Sequence, residues 1–160
     1  MASSYSSDLK LEIITTGEKA GLWGTVTNSN LEILQQAASG YIVVDMAGAD
    51  VTLALTDGAV SNGKNLYFKL TGTLAANRTL TMPAGSERIF IIEDATNRNT
   101  TKTLSVKTAS GTALPVPIGA VMLVKSDGTN TTKAITEKGY FTITSSAITA
   151  YTAVAGDQLL

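Results

Sequence analysis

The sequence predicts a mainly β fold: an antiparallel β-sandwich with one short N-terminal α-helix packed on it and a C-terminal extended appendage. Three observations predict it. From Tyr41 onward, short runs alternate apolar and polar side chains and are separated by Gly, Pro, Asn and Asp, the pattern of strands joined by turns. Within residues 8–40 alone, apolar residues recur at helical spacing. After Glu137-Lys138-Gly139 a further alternating stretch begins and runs to Gln158-Leu159-Leu160.

The elements follow in order. Residues 1–8 are small and polar and are expected to form a flexible N-terminal arm. Leu9, Leu11 and Ile13 alternate with Lys10 and Glu12, as in a half-buried strand. Gly17 and Gly21 bracket a loop that ends at Trp23-Gly24. Thr25 or Thr27 is expected to cap the helix, since a side-chain oxygen satisfies free N–H groups at a helix start. Leu31, Leu34 and Ala38, widened by Ile33 and Ala37, form the face expected to lie on a sheet, and Ser39-Gly40 is the stop. Such a helix has roughly three turns. Strands are expected at 41–46, 50–55, 65–71, 78–82, 88–93, 102–107, 119–125 and 131–136, with Asp127-Gly128 as a hairpin turn. The domain plan is thus an arm at 1–8, a helix-plus-β-sandwich domain at 9–136, and a linker/strand appendage at 137–160 that opens a further module. The apolar end of that appendage is expected to pair with another chain or to continue into more sequence.

Composition narrows the functional classes. In 160 residues the apolar fraction is 44% but aromatics are only 6%, so the core is expected to consist of Leu, Ile, Val and Ala. The net charge is −1, and basic residues are spread from Lys10 to Lys138, which predicts neither a nucleic-acid footprint nor membrane insertion. No apolar run reaches the length of a membrane span, and the N-terminus has no basic-then-apolar secretory signal. With no cysteine there is no disulfide or thiolate chemistry. With no histidine, triads, imidazole shuttles and most catalytic zinc sites are excluded.

Paired carboxylates are the remaining catalytic option, and Glu93-Asp94 is the adjacent pair. Neighbours on a strand point to opposite faces, so this pair is expected to be a solvated strand end. Asp45, Asp50 and Asp57 read as turn aspartates, because the D-x-D-x-D-G spacing of a calcium loop is missing. Gly17, Gly21 and Gly24 do not follow a nucleotide-binding spacing and read as turn glycines. The sequon matches at Asn77, Asn99 and Asn130 lie in a Thr-rich chain without a secretion signal and are discounted. The expectation is no enzyme, no catalytic residues, no cofactor and no metal. Trp23 has two readings: a plug between helix and sheet, or an interface anchor. Leu22 and Trp23, with Tyr140, Phe141 and Tyr151 of the appendage, are the candidate interface residues.

Asp8-Leu9-Lys10-Leu11-Glu12, Thr16-Gly17-Glu18, Gly21-Leu22-Trp23-Gly24, Thr27-Asn28-Ser29-Asn30-Leu31 and Ala37-Ala38-Ser39-Gly40 make the leading block of a family resemblance. It continues through Leu70-Thr71-Gly72-Thr73-Leu74, Arg78-Thr79-Leu80-Thr81-Met82-Pro83 and Ser126-Asp127-Gly128-Thr129-Asn130. Together these resemble the N-terminal region of tail-fibre and related virion structural proteins of tailed bacteriophages, cyanophages included. The stretch from Tyr151 to Leu160 resembles the opening of a further fibre module. A distal receptor-binding tip of the kind that ends a complete fibre is not visible in the sequence.

The resemblance implies a non-enzymatic homotrimer in the virion tail, made in the host cytoplasm. Its partners would be other tail or baseplate proteins, with any host surface receptor met through a distal part. Trimerisation would let thin, aromatic-poor sandwiches share buried surface and cover open strand edges. Two other readings compete: a capsid decoration (cement) protein, and a carbohydrate-binding module of a tail fibre or tailspike.

Overall fold

The computed structural model describes residues 3–135. The appendage expected at 137–160, with Tyr140, Phe141 and Tyr151, lies outside the described residues. In chain order the elements are β1 (Ser4–Tyr5), β2 (Glu12–Ile13), α1 (Trp23–Ser39), β3 (Tyr41–Asp45), β4 (Val51–Thr52), a 3-10 turn (Asn62–Lys64), β5 (Tyr67–Thr71), β6 (Arg78–Met82), β7 (Glu87–Asp94), β8 (Leu104–Thr108), β9 (Leu114–Pro115), β10 (Val121–Asp127) and β11 (Thr131–Lys133). The fold is mainly β with one helix, as the sequence predicts. A five-stranded sheet, β11-β10-β7-β5-β3, and a four-stranded sheet, β4-β6-β8-β9, supply the two layers, beside the small β1-β2 pair.

Pairing within the layers corrects the antiparallel expectation. β3, β5 and β7 run parallel in the larger sheet. β4, β6 and β8 run parallel in the smaller one. From β3 to β8 the chain changes sheet at every step, so each strand pairs with the next strand but one. Successive turns of this winding stack: Thr79 and Ser105, whose hydroxyls are 3.2 Å apart on β6 and β8, are 26 residues apart in the chain. Antiparallel pairing follows, β9 against β8 and β10 against β7, with the β10-β11 hairpin closing at Asp127-Gly128. There Gly128 has φ 84°, and the Asp127 carboxylate accepts from the N–H groups of Thr129 and Asn130. Turn residues mark strand ends equally well when the next strand folds back in the same sheet or crosses to the other. That is why spacing predicts the strands but not their partners.

The core lies between the layers. Val44, Phe68, Leu70, Phe90, Ile92, Met122 and Val124 enter it from the larger sheet, and Leu80, Met82, Leu104 and Val106 from the smaller. Phe68 and Phe90 meet edge to face with centroids 5.9 Å apart, an arrangement that suits the ring quadrupoles. Full burial of side chains this size stabilises by about 1.5–3 kcal/mol each.

The N-terminal segment is tied down and is not a free arm over residues 4–8. Ser4 and Tyr5 pair with β2. The Asp8 carboxylate accepts from the Glu87 N–H at 2.8 Å, and the Asp8 carbonyl accepts from the Ser86 hydroxyl at 2.8 Å.

α1 is longer than predicted, 17 residues, and starts at Trp23 with Leu22 as its N-cap. Neither Thr25 nor Thr27 caps it; both lie inside the helix, and the cap position makes no side-chain hydrogen bond. The buried face is Val26 and Ile33, with Asn30, Gln36 and Ala37 half-buried beside them. Leu31 and Leu34, expected inward, are exposed. Polar groups steer the docking: the Asn30 amide accepts from the Glu12 N–H and donates to the Glu12 carbonyl, both at 2.9 Å, in place of a further strand beside β2. The Gln36 side chain accepts from the Ser61 N–H. Gly40 ends the helix as expected, but with extended backbone at φ −64°. Glycine is needed there because a Cβ would run into the Gln36 carbonyl and the Asn65 side chain.

Two buried cations organise the loops. Lys64 is fully buried, and its ammonium donates to the carbonyls of Thr56 at 2.7 Å and Ala59 at 2.6 Å. Burial lowers its pKa, and the Asp57 charge partly offsets this. Arg98 forms a 2.6 Å ion pair with Asp94 at the end of β7, with both side chains almost fully removed from solvent. The Asp94 carboxylate also accepts from the Thr96 hydroxyl, the Thr96 N–H and the Gly119 N–H, and Arg98 donates to the Val116 carbonyl.

Burial pushes the Asp94 carboxyl up, but the hydrogen bonds from Thr96, Gly119 and Arg98 outweigh it and hold it below its ordinary value. A carboxyl held low in the folded state stabilises the fold above its unfolded pKa of about 3.9. That contribution disappears as pH falls through the folded value. Urea unfolding across the acid range is expected to show this loss, and Asp94→Asn to remove the share due to this group. Asp94→Ala leaves the Arg98 charge buried without its partner and is expected to cost about 3–5 kcal/mol near neutral pH.

Candidate functional site

Side chains of a strand alternate between faces, so the residues between the core positions of β3, β5, β7 and β10 share the outer face of the larger sheet. Register places them in rows. Tyr41 stands opposite Tyr67, Tyr67 opposite Ile91, and Ile91 opposite Leu123. The next row is Val43, Lys69, Glu93 and Val121. Ile89 stands opposite Lys125. Tyr41, Val43, Ile89 and Val121 are exposed, Val121 to 63%. Tyr41 and Tyr67 stack with centroids 5.2 Å apart. A largely apolar surface thus crosses four strands with nothing from the described residues covering it.

Two charges at the centre of this face are paired with each other. Lys69 and Glu93 form an ion pair at 3.0 Å, and the Tyr67 hydroxyl donates to Glu93 at 2.8 Å. The Tyr67 hydroxyl and then Lys69 hold the Glu93 carboxyl below its ordinary value, while the same bonds raise Tyr67 and Lys69. All three stay in their ordinary charge states near neutral pH.

A second apolar surface lies on α1. Leu22, Trp23, Leu31 and Leu34 are exposed, Trp23 to 64%. The helix therefore carries apolar side chains on two sides, Val26 and Ile33 inward and this group outward. The reading of Trp23 as a plug between helix and sheet does not hold, because the side chain faces outward. Leu22 and Trp23, the interface candidates from this part of the chain, are both exposed. Their companions Tyr140, Phe141 and Tyr151 lie outside the described residues.

The polar candidates resolve into structural roles. Glu93 and Asp94 diverge as neighbours on a strand must, Glu93 to Lys69 on the outer face and Asp94 to Arg98 inside. Asp45 accepts from the Ala47 N–H two residues on, as a turn aspartate does, whereas Asp50 accepts from the Thr79 N–H of β6, 29 residues away. Among the described residues no three His, Cys, Asp or Glu side chains gather as metal ligands, and no helix is long and apolar enough to cross a membrane. A shallow groove of about 390 Å³ beside the end of α1 is lined by Gln35, Gln36, Ser39, Gly40 and Val60, with Glu32 as its carboxylate.

The exposed apolar face that carries Tyr41, Val43, Ile89 and Val121 was missed from sequence, although a signal for it exists. Tyr41-Ile42-Val43-Val44, Ile89-Phe90-Ile91-Ile92 and Val121-Met122-Leu123-Val124 are continuous apolar runs, the mark of strands apolar on both faces. The fold and its surfaces define a two-layer β module with two apolar patches that none of the described residues covers. Comparison of the chain with protein-family models, with curated proteins and with solved structures returns no match.

Trp23 is the single tryptophan of the chain. Its emission in dilute monomer is expected to match that of a water-exposed indole, with free quenching by acrylamide. Trp23→Ala is expected to leave the far-ultraviolet circular dichroism and the monomer's unfolding free energy unchanged to within about 0.5 kcal/mol. A shielded indole in the monomer, or loss of folding on substitution, would show that Trp23 packs inside its own chain.

Proposed function

We propose that this chain is a non-enzymatic structural protein of a tailed-phage virion, a fibre module that forms a homotrimer and attaches the fibre to the tail or baseplate. The observation that carries this reading is the outer face of the larger sheet. Strands that are apolar on both faces belong to surfaces that end up covered, and an uncovered patch of this kind marks a protein contact. Tyr41, Tyr67, Ile91 and Leu123 form one unbroken row across it. At its centre Lys69 and Glu93 are paired with each other, so covering this part of the face leaves neither charge without a partner. The sequence resemblance supplies the biological setting, the virion tail.

One observation favours a second reading, a carbohydrate-binding module. The stacked Tyr41 and Tyr67 rings beside Glu93 and Lys69 combine an aromatic surface with polar groups, as a sugar ring requires.

Light scattering on the purified chain is expected to give a mass near that of three copies. Ile89→Asp, at a position exposed in the single chain, is expected to leave folding intact and to lower that mass. A wild-type monomer at all accessible concentrations would overturn the self-assembling module. If it also binds host polysaccharide, and Tyr41→Ala abolishes that binding, the carbohydrate reading replaces it.

A further inference from the structure

The outward side of α1 has a regular spacing. Thr27, Leu31, Leu34 and Ala38 follow one another at intervals of four, three and four residues, the alternating a and d positions of a heptad. Leu31 is 57% and Leu34 44% exposed, and Ala38 is exposed as well. The inward residues Val26 and Ile33 lie off this stripe, so both faces can be occupied at once. We propose that this stripe is a seam at which copies of the chain pack helix against helix, in parallel, around a shared axis. The inference rests on the reading of the chain as self-assembling and names where the copies meet.

A second copy is the occupant that the chemistry favours. A heptad stripe is complementary to itself, because its knobs fit the holes of an identical neighbour. Glu32 is the one charged residue of α1, and it stands off the seam. The positions beside the seam include Asn28, Gln35 and Ala37, which are uncharged. A charged amphipathic partner would find no complementary ion there, whereas an identical helix meets neither repulsion nor a buried charge. Cyclic symmetry about an axis along the helices makes them parallel and brings each seam residue close to its own counterpart.

Length sets the strength. A helix of 17 residues is about 25 Å long and spans fewer than the three or four heptads of an independent coiled coil. A standard interface covers about 800 Å² on each partner, more than such a seam supplies. The seam therefore works together with the outer sheet face, which β3 enters at Tyr41 directly after the helix end. Loss of the seam is expected to weaken association rather than abolish it.

The absence of native cysteine makes the test direct. Thr27→Cys and Ala38→Cys, one near each end of the seam, and Glu32→Cys off the seam, are purified and exposed to mild oxidant, and the mass of the unmodified chain is measured in parallel. Seam positions in parallel copies bring like residues within the short Cα separation that a disulfide requires. The expected result is covalent dimer from the variants at 27 and 38, with at least about tenfold less from the one at 32. Leu31→Ser together with Leu34→Ser is expected to weaken association at least about tenfold while leaving the circular dichroism unchanged. A trimer mass without cross-linking at 27 and 38, or with equal cross-linking at 32, overturns the seam and leaves the assembling module standing. A monomer mass overturns both.

Discussion

The ion pair between Asp94 and Arg98 holds the place where the chain stops winding and turns back. From β3 to β8 every strand pairs in parallel with the strand next but one, and the stack could continue in that way. At the end of β7 the Asp94 carboxylate gathers N–H groups from Thr96 and from Gly119, the latter just ahead of β10, while Arg98 reaches the Val116 carbonyl after β9. One carboxylate and one guanidinium thus tie the last parallel turn to the strands that close it. Water is nearly absent from the pair, so each charge depends on the other and on these bonds. The placement of β10, and with it the Val121 and Leu123 part of the outer face, follows from this node.

Much of the fold was legible from local chemistry. Alternation and turn residues locate β3, β5, β6, β7, β8 and β10 closely, and Asp127-Gly128 marks its hairpin because only a residue tolerant of positive φ suits that turn. Strand partnership was not legible by the same means, since alternation reports which face a side chain takes and not which strand lies beside it. The spacing between stacked strands is uneven, 26 residues from Tyr41 to Tyr67 but 24 from Tyr67 to Ile91, so no fixed repeat exposes the winding. The helix misled for a related reason: Ile33 serves the inward face while Leu31 and Leu34 serve the outward one, so a single broad apolar arc concealed two narrower ones.

The candidate surface divides in the same way. Trp23 and Leu22 were recognisable because large apolar residues stand out in a chain so poor in aromatics. The sheet face was not, because Tyr41, Val43, Ile89 and Val121 come from three strands far apart in sequence and meet only through register. The aspartates are occupied with the backbone: Asp45 and Asp127 accept N–H groups within their own turns, and Asp50 accepts from Thr79 on a neighbouring strand. In a thin sandwich with short strands, such caps stand in for the longer ladders that larger sheets use.

The parallel winding also governs how such a body can change size. Each circuit adds one strand to both layers, raises the stack by about 4.8 Å, and leaves the inward and outward assignments of all other strands untouched. A whole circuit inserted or removed would therefore preserve both the core and the outer rows, whereas an odd shift of a few residues would exchange inside for outside along a strand. Growth in such a fold is quantised: height is counted in complete turns of chain, and a duplicated turn extends the same patterned face by one more row.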